Sequence, residues 1–236
     1  MTRAQQFQPA GVIPATLLCF DADLAIDEPA TRRHLAQVAA TPGLAAITVN
    51  GHSSEVHACS PDEQRRVLDI ALEQVGERLP VVSGVYADGS GLAAGIARMA
   101  ERAGAAALLV LPPQSMSMGG QLRPEMALAH FHAIAAATDL PLIVFQYPMA
   151  SGLGFPFDTL LRLFEAVPGI RAIKDWSGEP MLHERHIRVF QSLPRPVTVL
   201  TTHSAWLMAS LAMGAGGLLS GAGSVIADWQ VALFQA

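Results

Sequence analysis

Short apolar runs alternate with longer amphipathic stretches along the chain. The apolar runs are mostly continuous, which is typical of strands buried on both faces of a parallel sheet. The stretches between them repeat apolar residues at helical spacing and carry helix start signals. One such signal is Ser60, a capping residue that precedes Pro61 at the first helical position. The predicted strands cover residues 11–18, 44–50, 80–86, 105–111, 141–147, 169–174, 196–202 and 216–220.

The alternation of strands and helices over eight units predicts the fold. The strands begin roughly every 25–35 residues, and such alternation indicates right-handed βαβ units in a parallel sheet. Eight units in this length predict one α/β domain over residues 1–236, a (β/α)8 TIM barrel. An open doubly wound sheet is the alternative, but the first turn, LLCFDAD, lacks the glycines typical of that fold. The predicted helices cover residues 28–40, 65–72, 90–103, 122–137, 156–166, 178–191 and 227–236.

Composition narrows the class of protein. Hydrophobic residues make up 51% of the chain and charged residues 15%, which excludes a disordered chain. The net charge is −5 without a basic patch, so we expect no nucleic-acid partner. No apolar run is long enough for a membrane span, and the N-terminus lacks an apolar signal core, so we expect a cytoplasmic protein. Cys19 and Cys59 lack metal-ligand spacing, as do His52, Glu55 and His57, and we predict neither a metal nor a cofactor.

Lys174 is the only lysine in the chain, although lysine and arginine together number 15. A bias toward arginine explains the missing lysines, but it does not explain why one lysine remains. Arginine carries surface charge equally well, whereas only lysine can lose its proton and form an imine with a carbonyl. The lone lysine is therefore a candidate for covalent chemistry.

Lys174 falls at the carboxyl end of the sixth predicted strand, where TIM barrels carry their catalytic residues. Ile170 and Ala172 share its face by the strand period of two, which predicts an apolar setting that lowers the lysine pKa. Tyr147 is one of two tyrosines, ends the fifth predicted strand and is a candidate proton shuttle. The alternatives are a salt-bridged structural lysine and a packing tyrosine.

The segment Gly51-His52-Ser53-Ser54-Glu55 follows the second predicted strand. Its glycine, hydroxyls and successive backbone N–H groups are typical of an anion nest, so it is a candidate carboxylate site. The alternative is a polar connector whose serines satisfy backbone groups. His52, Ser53 and Ser54 are therefore predicted to bind substrate. Three residues at other strand ends join this set: Gln114, His203 and Ser220.

The chain resembles the dihydrodipicolinate synthase / N-acetylneuraminate lyase group of class I aldolases. LPLIVFQYPMASG and GIRAIKD resemble the family's Y-N-x-P and G-x-K-D/E segments, and GHSSEV stands where the family has a G-T-T-G-E loop. The resemblance implies an imine on Lys174, Tyr147 as the proton-shuttling phenol, and Ser53 with Ser54 at the substrate carboxylate. It also implies a homotetramer or homodimer. Because the helix at 227–236 ends the chain, we expect the family's C-terminal helical extension to be absent.

Three positions depart from the synthase pattern. His52 stands where synthases carry a threonine that links two tyrosines into a proton relay, and Gln114 falls at the position of the second tyrosine. Gly152 stands where an arginine recognises the distal carboxylate of aspartate semialdehyde. His52, Tyr86 or His203 is a candidate for the missing proton path.

We therefore predict a Schiff-base-forming lyase, an aldolase or a dehydratase, that acts on pyruvate or another 2-oxo acid. Two alternatives stay open. The first is a dihydrodipicolinate synthase with an altered proton relay. The second is a barrel that binds a 2-oxo acid without catalysis.

Overall fold

Strands and α-helices alternate in the structure, a computed structural model that describes residues 7–236. The strands are β1 (Gly11–Pro14), β2 (Ile47–Val49), β3 (Val81–Val85), β4 (Ala107–Val110), β5 (Leu142–Gln146), β6 (Ile170–Asp175), β7 (Thr198–Thr201) and β8 (Gly217–Ser220). The helices are α1 (Glu28–Ala39), α2 (Pro61–Val75), α3 (Ser90–Ala103), α4 (Pro124–Ala135), α5 (Phe157–Ala166), α6 (Pro180–Phe190), α7 (Leu207–Ala212) and α8 (Gly223–Gln235). Residues 1–6, which the single-domain prediction included, lie outside the described residues.

The sheet closes on itself. Its order is β1-β8-β7-β6-β5-β4-β3-β2, all neighbours are parallel, and isolated bridges Val12–Leu44 and Ala15–Thr48 connect the first strand to the segment around β2. The predicted (β/α)8 TIM barrel is therefore confirmed. No helix was predicted between the seventh and eighth strands from the local pattern, because the six residues of α7 carry too little periodicity to be recognised. Only the expectation of eight strand–helix units implied a helix there. Within residues 7–236, none of the helices has both the length and the apolar character that a membrane crossing requires.

Apolar side chains pack on both faces of the strands, inside the barrel and between the sheet and the helices. Ala172 packs inside the barrel with Ile143 and Leu200, whereas Ile170 packs in the outer layer between sheet and helices. The prediction that Ile170 shares the face of Lys174 is wrong, because the register shifts there. Leu142 pairs with Ile170, but Ile143 pairs with Ala172, so β6 carries an extra residue at its start. Such a bulge moves the preceding side chain to the opposite face.

The connection after β2 is held by local backbone features. Ser60 caps α2, since its Oγ accepts from the Glu63 backbone N–H and its own N–H donates to the Glu63 carboxylate, which confirms the predicted cap. Gly84 in β3 lets the chain at Asn50 pass closely, because a Cβ at Gly84 would lie 1.7 Å from the Asn50 carbonyl oxygen. These two features set where the loop at residues 51–55 leaves the barrel.

His130 of α4 makes the stability of the fold depend on pH. The side chain is buried, and its Nδ1 lies 3.1 Å from Ser90 Oγ. Burial lowers the pKa of His130 from 6.5 to about 4, so the stabilisation present above pH 6.5 is lost as the pH falls toward 4. When the pH is lowered from 7 to 5, the free energy of unfolding measured in urea should fall by about 1–2 kcal/mol more in the unmodified protein than in His130→Gln. Equal losses in both proteins would contradict this prediction.

Candidate active site

The amine of Lys174 lies in a small cavity at the carboxyl ends of the strands. The side chain is 3% exposed, and its Nζ lies 4.0 Å from the centre of the Phe145 ring on the neighbouring strand. The cavity has a volume of about 210 Å³. Pockets that bind drug-sized molecules are larger, so this cavity suits a smaller ligand. Its lining residues are His52, Ser53, Phe145, Lys174, Trp176, Thr202 and Gly221.

Burial changes the protonation of Lys174. Desolvation lowers the pKa of its amine to about 7, whereas an unperturbed lysine is less than ~1% free amine at neutral pH. No group within residues 7–236 accepts a hydrogen bond from the amine, and no carboxylate forms an ion pair with it. A salt-bridged structural lysine therefore does not describe this residue. A large share of the amine is free to attack a carbonyl at neutral pH.

Tyr147 follows β5 and pairs with His52 across the mouth of the barrel. The phenol is buried, and its oxygen lies 3.3 Å from His52 Nδ1. Burial raises the pKa of the Tyr147 phenol, so the phenol keeps its proton at neutral pH. Burial and the nearby Lys174 charge lower the pKa of His52, which keeps its imidazole neutral. His52 is otherwise exposed, so the pair connects a buried hydroxyl to solvent.

The hydroxyls of the two predicted carboxylate-binding serines are directed at the first strand. Ser53 Oγ donates to the Ala15 carbonyl at 2.9 Å, and Ser54 Oγ donates to the Thr16 carbonyl at 2.7 Å. Ser53 nevertheless lines the cavity, while Ser54 is buried behind it. Both hydroxyls therefore fix the loop, and only Ser53 is in place to contact a ligand.

Three other predicted binding residues lie outside the cavity. Gln114 is exposed in the loop after β4. Ser220 Oγ accepts a hydrogen bond from Gln230 of α8, which places this hydroxyl on the outer face of β8. His203 packs its ring against Trp206 at 4.1 Å, in a buried cluster beside α6. The prediction that these three residues bind substrate gains no support from their positions.

Four cavity residues were absent from the predicted site. Thr202 and Gly221 lie at the same strand ends as the predicted His203 and Ser220 but one residue away, so these positions face the other side of the strand. Phe145 and Trp176 line the cavity beside Lys174, and the sequence carried no signal that separated them from core aromatics. A wider groove of about 390 Å³ lies between α5 and the segment after α6, but it contains no residue from the carboxyl ends of the strands.

The chain matches known proteins over nearly its whole length. Residues 8–236 match the dihydrodipicolinate synthetase family. A 4-hydroxy-tetrahydrodipicolinate synthase from Salinibacter ruber is 34% identical over 171 residues, which cover 72% of this chain and 54% of the relative. The chain thus spans about half the length of that relative.

Solved structures share the fold. The Escherichia coli K12 prophage protein YagE, determined in complex with pyruvate, superposes with a TM-score of 0.88 at 22% identity, covering 97% of this chain and 75% of that one. The N-acetylneuraminate lyase from Fusobacterium nucleatum, also complexed with pyruvate, superposes with a TM-score of 0.84 at 17% identity, covering 99% of this chain and 75% of that one. At such identities these two structures show the fold alone. Because the family match covers residues 8–236, the chain belongs to the dihydrodipicolinate synthetase family.

Proposed function

We propose that this chain is a Schiff-base-forming lyase that acts on pyruvate or another 2-oxo acid through an imine on Lys174. The observation that carries the proposal is the buried amine, which has no ion-pair partner among residues 7–236 and lies in a small cavity with a tyrosine–histidine pair beside it. The pyruvate complexes of two structural neighbours support the substrate class.

The chemistry begins when the free amine of Lys174 attacks the ketone carbon of the 2-oxo acid. The resulting carbinolamine loses water and leaves a protonated imine, which withdraws electrons from the adjacent carbon. Loss of a proton or a carbon–carbon bond from that carbon then becomes possible, which is the basis of aldol cleavage, condensation or dehydration. Phe145 and Trp176 keep the surroundings apolar, so less of the amine is protonated.

Imine formation requires proton transfers at the carbonyl oxygen, and Tyr147 with His52 can perform them. The phenol donates its proton to the oxygen that leaves as water, and His52 Nδ1, 3.3 Å away, returns a proton to the phenol. A neutral imidazole both accepts and donates protons, so His52 exchanges the proton with solvent on its exposed side. His52 thus serves in the position where the resemblance implies a threonine.

The substrate carboxylate is proposed to bind in the same cavity as the amine. Ser53, Thr202 and His52 line the cavity. Because the Ser53 hydroxyl already donates to the Ala15 carbonyl, the Thr202 hydroxyl and the His52 imidazole are the proposed side-chain partners of the carboxylate. Arginine is absent from the residues of 7–236 that line this cavity, which favours a monocarboxylate over a dicarboxylate. This composition favours an uncharged second substrate.

Borohydride trapping tests the proposal. Incubation with pyruvate and sodium borohydride should leave one reduced pyruvyl group per chain, located on the Lys174 peptide by mass spectrometry, because an imine is reduced to a stable secondary amine. Borohydride without pyruvate is the control. Modification of the N-terminal amine alone, or of neither amine, would refute the imine.

Two other outcomes distinguish the alternatives. Coupled turnover of pyruvate with aspartate semialdehyde would assign the synthase reaction, which the Salinibacter ruber relative favours by its name. Thermal stabilisation by pyruvate without a trapped adduct would assign a binding protein. The cytoplasmic location and the homotetramer or homodimer implied by the resemblance stay predictions.

A further inference from the structure

A second cluster of chemically capable side chains lies on the outer face of β6, where the proposed reaction does not use it. Asp175 follows Lys174 directly and points away from the cavity toward α6. His183 and His186, one helical turn apart on α6, each place Nδ1 2.7 Å from the same carboxylate oxygen, Asp175 Oδ2. The loop after β7 adds His203, whose ring centre lies 5.2 Å from that of His183. Asp175 and His183 are fully buried, and His203 is 6% exposed.

The cluster contains more nitrogen atoms than hydrogen-bond partners. His183 Nε2 and His203 Nε2 are buried and have no partner within the described residues, and neither has His186 Nε2. A buried polar atom without a partner destabilises the fold, and three of them in one cluster call for a ligand or a specific role. The second oxygen of Asp175 accepts one hydrogen bond, from the backbone N–H of Ser177 at 2.8 Å, and so keeps a lone pair that can bind an ion.

The donor atoms are also close enough to share one ion. One ligand atom from each of Asp175, His183 and His203 lies within 4.8 Å of the other two, and all three residues are buried. Two imidazole nitrogens with a carboxylate oxygen suit zinc and its late first-row neighbours, whereas magnesium and calcium prefer oxygen ligands alone.

We propose that Asp175, His183 and His203 form a binding site for a divalent ion of the zinc class. The site connects the end of β6 to α6 and to the loop after β7, on the opposite side of the strand from the Lys174 amine. His186 supports the site by its hydrogen bond to Asp175 but is outside the ligand set. The ion binds the folded arrangement of these elements and therefore stabilises it by mass action.

Cobalt(II) is a suitable probe, because its visible absorption reports its ligands. The chelator-treated, gel-filtered full-length protein should bind one cobalt per chain, with the absorption of a low-coordinate nitrogen and oxygen site, and zinc should displace it. Saturating zinc should raise the melting temperature relative to chelator. His203→Phe keeps an aromatic ring against Trp206 but supplies no nitrogen, and it should weaken cobalt binding at least about 100-fold.

His57→Gln is the matched control. His52 and His57 form an exposed pair with ring centres 5.2 Å apart, the arrangement in which a metal binds adventitiously at a surface. Cobalt binding that survives His57→Gln and is lost in His203→Phe supports the proposal. Loss in His57→Gln, or equal binding by both variants, overturns it. If His203→Phe does not fold, His203→Gln takes its place in the comparison. The unmodified protein alone also tests the proposal, because binding of less than a tenth of an equivalent of cobalt overturns it.

Discussion

Replacing Lys174 with methionine is expected to abolish turnover and to raise the free energy of unfolding. Methionine fills the same space without an amine, so no imine forms, and the rate should fall at least about 1,000-fold. The amine is buried beside Phe145 and has no carboxylate partner in the part of the chain that the structure describes, so the fold bears the cost of removing it from water. Relief of that cost should add about 1–3 kcal/mol to the free energy of unfolding in urea.

Lys174→Arg is the matched control. Arginine keeps the charge but cannot lose it, so a guanidinium in this cavity should reduce both turnover and stability. A lysine retained for packing or for charge would behave differently: the methionine variant would then lose stability. The opposite signs expected for the two variants therefore distinguish a reactive lysine from a structural one. Because Lys174 is the only lysine, neither variant leaves another ε-amine to form an adduct.

The barrel and the position of its lone lysine were accessible from the sequence because both depend on repeated or unique features. Few folds are compatible with eight buried apolar runs separated by amphipathic stretches. The sixth of these runs is enough to place Lys174 at the carboxyl end of a strand. The setting of the lysine was less accessible. The extra residue at the start of β6 carries Ile170 to the outer layer, and a bulge of this kind has no sequence signal here.

Two predicted binding residues lie one position away from residues that line the cavity, for a related physical reason. Successive strand residues face opposite sides, so a single-residue error exchanges a cavity residue for an outer one. His203 and Ser220 were predicted where Thr202 and Gly221 line the cavity. The cluster around Asp175 was invisible for a different reason. Its histidines come from a helix and a loop that only the closed barrel brings to the back of β6.

Replacing Tyr147 with phenylalanine is expected to slow turnover by about 100- to 1,000-fold while leaving the fold intact. The ring contacts with Phe145 and Trp176 remain, at 4.4 and 5.5 Å between ring centres, so packing in the cavity is preserved. Only the hydroxyl is lost, and with it the proposed proton donor for carbinolamine dehydration, a contribution of the size usual for general acid catalysis. Borohydride should still trap the pyruvate adduct, but the adduct should form more slowly than in the unmodified protein.

A double-mutant cycle with His52→Asn tests whether the two side chains act as a unit. The single His52→Asn change should slow turnover by about 10- to 100-fold, because the phenol loses the group that returns its proton. Added to Tyr147→Phe it should cost little more, since the imidazole has no phenol to serve across the 3.3 Å contact. Imidazole in solution should partly restore His52→Asn, but it should not restore the double variant. Independent, multiplicative losses would show that His52 contacts the substrate directly and takes no part in a path through Tyr147.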